Sequence, residues 1–278
     1  MIEFCKLEAL GNDFALIDAR RAAFDPSSNQ VRRLGDRRLG IGFDQLLILR
    51  HSPHAALRVD IRNHDGSSAE QCGNGMRAVA LYMQITGELA ESARLETPAG
   101  SVNVLFEDAD RISATLPPPV VAQASRSPDA GQAWKEQRCG IDFELNYIDL
   151  GNPHLVIELP SPASSELLIQ VGEEFSHHPS LSQGANVNLA HVVDPARISL
   201  SVYERGVGPT LACGSGACAT AVSLIRQQRV RSAVTVDQPG GQLVINWSGE
   251  GHGITMTGPA QMVFSGTIHP DILRTSPG

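Results

Sequence analysis

Two cysteines occupy the same tetrapeptide context, Cys72-Gly73-Asn74-Gly75 and Cys213-Gly214-Ser215-Gly216, 141 residues apart in a chain of 278. A thiolate takes a proton and a thiol gives one. Thiols on opposite faces of a bound carbon acid would remove the α-proton from one side and deliver another from the other. That chemistry inverts a stereocentre without a metal or a change of oxidation state. Glycines beside each cysteine let the backbone approach a substrate carboxylate, and amides fixed there stabilise the charge that grows as a carbanion forms.

The elements that must present these thiols follow directly. Helical patterns run over 76–86, stopped by Gly87, and over 217–228, so each cysteine loop sits at a helix N-terminus. The first amides of a helix lack intrahelical partners and carry partial positive charge. Two such ends facing each other would hold a small carboxylate, and each would lower a thiol from its ordinary pKa of about 8.5. Strand-like segments are expected at 2–6, 14–18, 45–49, 58–62, 101–106 and 111–115, and again at 141–145, 155–159, 187–192, 198–203, 234–236 and 242–246. Each half therefore reads as strands wrapped around one prominent helix.

The repeat extends beyond the tetrapeptides. At the same offset, Thr97-Pro98-Ala99-Gly100 faces Gln238-Pro239-Gly240-Gly241 and Pro118 faces Pro259; at an offset of 140, Leu10-Gly11-Asn12 faces Leu150-Gly151-Asn152. Matches in the same order with a drift of one residue indicate an internal duplication. The expected organisation is an N-terminal half over 1–117, a Pro/Ser/Ala/Gly-rich linker over 118–135, and a C-terminal half over 136–278 whose last strand is free to cross back to the first domain.

Composition narrows the function. Apolar content of 42% and charged content of 19% describe a globular chain, with no run of about 20 apolar residues to span a membrane and no visible secretory signal. A cytoplasmic protein is expected. Five cysteines, Cys5, Cys72, Cys139, Cys213 and Cys218, are an odd number and fit free thiols better than a disulfide framework. A net charge of −8 disfavours nucleic acid. Only Lys6 and Lys135 are lysines, and neither has a convincing context for the Schiff base that pyridoxal phosphate chemistry requires. No cofactor is expected. Metal is not expected either: Cys213 and Cys218 lack common zinc spacing, and the histidines are scattered.

A lone cysteine among small residues is ordinarily structural; two at repeat-equivalent positions before helices call for another account. Cys218, which the repeat pairs with Arg77, is read as packing, and Cys5 and Cys139 as core. The conspicuous loop residues are Asn12, Asn63, Asn152, His154, Asn186, Glu204 and Arg205. Each could serve a turn. As a set, asparagines can bind carboxylate and ammonium groups, Arg205 can fork onto a carboxylate and Glu204 can pair with an amine.

The motifs Gly11-Asn12-Asp13-Phe14, Gly42-Phe43-Asp44-Gln45, Asn63-His64-Asp65-Gly66, Gln71-Cys72-Gly73-Asn74-Gly75, Gly151-Asn152-Pro153-His154, Tyr203-Glu204-Arg205-Gly206 and Ala212-Cys213-Gly214-Ser215-Gly216 resemble the diaminopimelate epimerase family, nearly along the whole chain and in the family's order. The resemblance implies an α/β (α+β) fold of two similar domains. Each is a barrel-like, mostly antiparallel sheet around a central helix, with the active site in the cleft between them. It implies a cytoplasmic homodimer that interconverts LL- and meso-2,6-diaminopimelate without cofactor, in lysine and peptidoglycan-precursor synthesis. By that resemblance Cys72 donates and Cys213 accepts the proton. The amides of Gly73, Asn74, Gly214 and Ser215 hold the reacting carboxylate, and Asn12, Gln45 and Glu204 lie near the reacting amine. Asn63, Asn152, Asn186 and Arg205 take the distal end, with His154 supporting the thiols. The chain departs from the family pattern at Ala9, where Gly is frequent, and at Gly208-Pro209-Thr210, where Gly-Glu-Thr is common.

Three other readings share the paired cysteines. A proline, hydroxyproline or histidine racemase of the same two-cysteine type would not need the distal set Asn63, Asn186 and Arg205. A thiol redox protein would turn over with a reductant. A silent binding protein would exchange no α-proton.

Overall fold

The computed structural model describes residues 2–119, 134–138, 141–181 and 183–274. The chain forms two compact units, Met1–Leu116 together with Gly258–Gly278, and Pro117–Thr257. In chain order the first unit contains β1 (Ile2–Ala9), β2 (Asn12–Asp18), α1 (Ser28–Gly35), β3 (Gln45–Arg50), β4 (Leu57–Asn63), β5 (Ser68–Ala69), α2 (Gly73–Ile85), β6 (Ser92–Thr97), β7 (Gly100–Asp108) and β8 (Arg111–Leu116). The second follows with β9 (Trp134–Arg138), β10 (Ile141–Asp149), β11 (Pro153–Glu158), α3 (Ser165–Ser176), β12 (Asn186–Asp194), β13 (Arg197–Glu204), β14 (Gly208–Thr210), α4 (Gly214–Arg226), β15 (Val234–Gln238), β16 (Gly241–Trp247) and β17 (Ile254–Gly258). Finally β18 (Gln261–Ile268) pairs antiparallel with β1 and belongs to the first unit.

The two units repeat one topology. In the first, β1–β2 is antiparallel, β2–β3 parallel, β3–β4 antiparallel, β4–β6 parallel, and β6–β7–β8 an antiparallel meander. The second has the same sequence of pairings in β10–β11, β11–β12, β12–β13, β13–β15 and β15–β16–β17. Even the added edge corresponds, β18 on β1 and β9 on β10, both antiparallel. The offset changes at two places, from 141 to 140 across the β1–β2 and β10–β11 hairpins and back to 141 between β2 and β3, where the pair Phe14 and Gln45 corresponds to His154 and Asn186. Glu8 pairs with Asp13 across four intervening residues, whereas Asp149 pairs with Pro153 across three. In the longer hairpin Leu10 and Gly11 both have positive φ, at 60° and 84°, the backbone a two-residue I′ turn requires.

Each unit wraps its strands around a helix buried on nearly every side. In α2 all residues from Gly73 to Met83 are buried, and in α4 all of Gly214 and Gly216–Leu224. Their Gly- and Ala-rich sequences let strands approach closely, and a helix apolar all round belongs inside a domain. Each half also has a second helix, outside this shell, that is not among the elements expected from the sequence. α1 is closed by a capping box between Ser27 and Gln30 and buries Val31 and Leu34 against Phe4, Ala15, Ile17, Leu46 and Ile48. α3, capped by Ser164, buries Leu168, Val171 and Phe175 against Leu155, Ile157, Val187 and Leu189. Each large side chain so buried contributes about 1.5–3 kcal/mol. Strands β2, β3, β11 and β12 thus have a helix on both faces, which explains the apolar runs of β2, β3 and β11, while β12 interleaves buried Asn186 and Asn188 with apolar residues. Alternate residues divide between the two faces, so Leu155, Ile157, Val187 and Leu189 serve α3 while His154, Val156, Asn186 and Asn188 point the other way.

Every expected strand is present and both expected helices begin at the cysteine loops. The short strands β5 and β14 and the strands β6, β9 and β17 were not anticipated, and β18 was expected only as a last strand, without bounds, that could cross back to the first domain. Most of the expected linker, and Cys139, lie outside the described residues. Cys218 is buried within α4, Cys5 is half-buried in β1, and Arg77, at the position equivalent to Cys218, is fully buried in α2.

Candidate active site

Both cysteines are helix N-caps. Cys72 precedes α2 in extended conformation, and its Sγ accepts from the Gly75 amide at 3.3 Å. Cys213 precedes α4 in the same way, accepting from the Gly216 amide at 3.3 Å. The sulfur thus replaces the usual hydroxyl or carboxylate cap. Negative charge on it is favoured by the amide and by the helix dipole, an effect of about 0.3–1 kcal/mol that grows in partly buried settings.

In the first unit the thiol's polar surroundings include a carbonyl oxygen. Cys72 lies 3.8 Å from Asn12 Oδ1, which also accepts from Asn74 Nδ2 at 3.5 Å. Asn12 is oriented from behind: its Nδ2 donates to Asp44 Oδ2 at 3.0 Å, and a carboxylate can only accept. Asp44 is held in turn by the Asp13 amide at 3.2 Å and by Arg37 at 2.8 Å. Arg37 also binds Asp13, which pairs with buried Lys6. Burial raises the Asp13 carboxyl, yet hydrogen bonds and charge from Arg37 and Lys6 outweigh it and bring it down to about 2. Lys6 is further tied to the Gly42 carbonyl. One strand pair away, Gln45 Nε2 donates to Asn63 Oδ1 at 3.0 Å, and Asn63 Nδ2 donates to Ser67 Oγ at 3.0 Å. Gln45 Oε1 and Asn74 Oδ1 are buried acceptors without a hydrogen-bond partner among the described residues. An ammonium group would satisfy such oxygens.

The second unit surrounds its thiol differently. Cys213 is only 6% exposed; its amide donates to Gln238 Oε1 at 2.8 Å and its Sγ lies 3.5 Å from Ser215 Oγ. Ser215 Oγ accepts from Asn152 Nδ2 at 3.3 Å, and Asn152 Oδ1 lies 3.2 Å from His154 Nε2. The other ring nitrogen is 3.2 Å from Asn188 Nδ2. His154 is fully buried, and burial pushes it down to about 3, with the charge of Arg205 acting in the same direction against the Asn188 hydrogen bond. It is neutral at any physiological pH. Asn186 Oδ1 accepts from the Arg205 amide at 3.0 Å and its Nδ2 donates to the Pro153 carbonyl at 3.1 Å. Thr210 Oγ1 donates to Glu204 Oε1 at 2.8 Å, so the Pro209 departure leaves the orienting threonine in place on short strand β14.

The structure therefore brings together Asn12, Cys72, Gly73 and Asn74, pairs Gln45 with Asn63, and links Asn152, His154, Cys213, Gly214 and Ser215. Asn186 with Arg205, and Glu204 with Thr210, form two further groups. Sequence reasoning missed Asp44, Asn188, Thr210 and Gln238. Asn188 had a signal, since in Asn186-Val187-Asn188 a period of two puts both asparagines on one face. Among the described residues no cluster of three or more His, Cys, Asp or Glu is placed to hold a metal, and no helix is long and apolar enough to cross a membrane.

Comparison with known proteins then decides the kinship. The family model described as diaminopimelate epimerase matches residues 4–120 and 146–263. A diaminopimelate epimerase from Thioalkalivibrio sulfidiphilus is 38% identical over 96% of this chain and 99% of its own. One from Pseudomonas syringae pv. tomato is 36% identical with the same coverage. The chain belongs to the diaminopimelate epimerase family. Like its relatives it is an isomerase acting on a small molecule. Solved structures sharing the fold include a probable proline racemase from Agrobacterium radiobacter, with a TM-score of 0.73, 14% identity and coverage of 97% of this chain and 93% of that one. A hydroxyproline epimerase from Agrobacterium vitis gives 0.71 at 13% identity, covering 95% and 91%. At that identity they support the two-repeat, sheet-dominated architecture of the diaminopimelate epimerase family and no particular substrate.

Proposed function

We propose that the protein interconverts LL- and meso-2,6-diaminopimelate by a two-base mechanism in which Cys72 and Cys213 act on opposite faces of one α-carbon. The observation that carries this reading is the pair of cysteine N-caps on repeat-equivalent helices, each accepting an amide at 3.3 Å. In the LL-to-meso direction Cys213, as thiolate, takes the α-proton, and Cys72, as thiol, returns one from the other side. The hydrogen-bonding groups beside each thiol support this assignment. Asn12 Oδ1, fixed by Asp44, is an acceptor beside Cys72 and favours S–H, whereas Ser215 can donate to Cys213 and favours S⁻.

The amides of Gly73, Asn74, Gly214 and Ser215 hold the reacting carboxylate, whose charge grows in the transition state. Gln45, Asn12 and Glu204 take the neighbouring ammonium; the buried unpartnered Gln45 Oε1 supports this. Asn63, Asn152, Asn186 and Arg205 hold the distal amino acid, and His154 supports the thiols. No Schiff-base lysine is needed, and Lys6 is committed to Asp13 and the Gly42 carbonyl. The same reading places the enzyme in the cytoplasm as a homodimer, serving lysine and peptidoglycan-precursor synthesis.

The test is to incubate purified protein without added cofactor with LL-diaminopimelate, and in parallel with proline and histidine, and to follow stereoisomers by chiral chromatography. Formation of the meso isomer alone is expected. Turnover of proline or histidine with none of diaminopimelate would replace the substrate assignment.

A further inference from the structure

We propose that Asn188 is the positioning residue that commits His154 to one tautomer and thereby aims a run of hydrogen-bond donors at Cys213 Sγ. The inference rests on the reading of Cys213 as proton acceptor, and it concerns how this chain keeps that thiol ready. Heavy-atom positions alone leave the tautomer of His154 and the orientation of Asn152 open. Asn188 closes both.

Asn188 is fully buried, and its Nδ2 lies 2.9 Å from the Leu155 carbonyl and 3.4 Å from the Asn186 carbonyl. Carbonyls only accept, so turning the amide over would set oxygen against oxygen and is excluded. The same nitrogen is 3.2 Å from His154 Nδ1. With one proton on Leu155 the other points at the ring, so Nδ1 must present its lone pair. Because the ring is neutral, its proton is on Nε2, which donates to Asn152 Oδ1 at 3.2 Å. That contact turns Asn152 Nδ2 onto Ser215 Oγ at 3.3 Å. The serine oxygen is then an acceptor, and its own proton is free to point at Cys213 Sγ, 3.5 Å away. Each group in the series is fixed by the one before it. Reversing the first would reverse them all, leaving the serine proton committed to Asn152 rather than to sulfur.

Two observations show that the arrangement is specific to this half. Asn188 Oδ1 sits where a Cβ on Gly216 would meet it at 2.5 Å, so only glycine permits this placement; at the equivalent Gly75 the facing atom is Leu47 Cδ2 at 3.2 Å. By strand register Leu47 stands where the second unit has Asn188, and Phe14 where it has His154. The first unit builds the same frame with apolar Phe14 and Leu47 at these two positions.

The experiment uses two readouts that do not need substrate. In ¹⁵N-histidine-labelled protein, long-range ¹H–¹⁵N correlations should show His154 protonated on Nε2 only, unchanged between pH 5 and 8. In a Cys72→Ala background, the pH midpoint of Cys213 alkylation by iodoacetamide should rise by about one unit in both Asn188→Asp and Ser215→Ala, because a hydrogen bond to the charged form is lost. The Cys72 midpoint, read in a Cys213→Ala background, should not move. Ser215→Ala, which changes no core packing, decides the matter if Asn188→Asp does not fold. A wild-type His154 protonated on Nδ1, or an unmoved Cys213 midpoint in folded Ser215→Ala, would overturn the proposal. Failure of the epimerase reading would look different: the tautomer and alkylation profile would stand while diaminopimelate went unconverted.

Discussion

The two cysteine half-sites share a backbone and differ in what lies under it. Both present a thiol at the N-cap of a 13-residue helix, with a glycine amide at 3.3 Å and an asparagine on the adjoining hairpin. Beneath the first lie Phe14 and Leu47; beneath the second lie His154 and Asn188, both fully buried. In the first, Asp44 turns a carbonyl oxygen toward the thiol, and in the second a polar series ends on a serine hydroxyl. The duplicated frame presents a thiol in each unit, and a few substitutions beneath it give the two thiols different polar neighbours, which on the proposed mechanism sets which one holds its proton.

Removing either thiol breaks the comparison most severely. Cys72→Ala and Cys213→Ala should each lower kcat about a thousandfold, the scale of a lost acid or base, measured by stereoisomer conversion at saturating substrate. The glycines come next. Gly216→Ala forces a Cβ to 2.5 Å from Asn188 Oδ1, whereas Gly75→Ala meets a flexible leucine end at 3.2 Å. We expect up to about a hundredfold loss of kcat in the first, as for small misplacements of catalytic groups, and a much smaller change in the second. Equal losses would remove the asymmetry.

A third test uses acid. A histidine held near pKa 3 when folded and near 6.5 when unfolded takes up its proton only on unfolding. Stability is therefore full above about pH 6.5 and falls as pH drops toward 3. Between pH 7 and pH 5 this costs about 2 kcal/mol. His154→Phe, which installs the residue of the first half, should flatten that part of the urea-denaturation profile while abolishing the support to Cys213. The smallest effect belongs to Asp44→Asn. It loosens the hold on Asn12 and should lower kcat by roughly tenfold or less, the scale of the net contribution of one neutral hydrogen bond, with alkylation of Cys72 shifted and that of Cys213 unchanged.

Much of this was open to reading from residue order. The duplication, both central helices and the strands around them follow from two periodicities and from glycines at helix stops. The placement of the cysteine loops at helix starts was visible because a helical pattern begins directly after each Cys-Gly-Xaa-Gly, whereas the capping by sulfur itself was not read. The outer helices were not read, although Ser27 with Gln30 and Ser164 with Leu168, Val171 and Phe175 carried cap and face. Their strands face helices on both sides, so the apolar runs there suggested burial without saying against what. The different surroundings of the two thiols were least legible. They depend on which way the amides of Asn12, Asn152 and Asn188 turn, and for Asn12 and Asn188 that follows from hydrogen bonds to Asp44 and to the Leu155 and Asn186 carbonyls, which only three-dimensional placement supplies.

The central claim, one proton carrier from each half, is tested most directly by early turnover in D₂O. Starting from protiated LL-diaminopimelate, mass spectrometry of the separated isomers should find one α-deuterium in nearly every meso product while the recovered LL pool remains protiated. Deuterium entering the LL pool before the meso product, or meso product retaining the substrate's α-hydrogen, would contradict it.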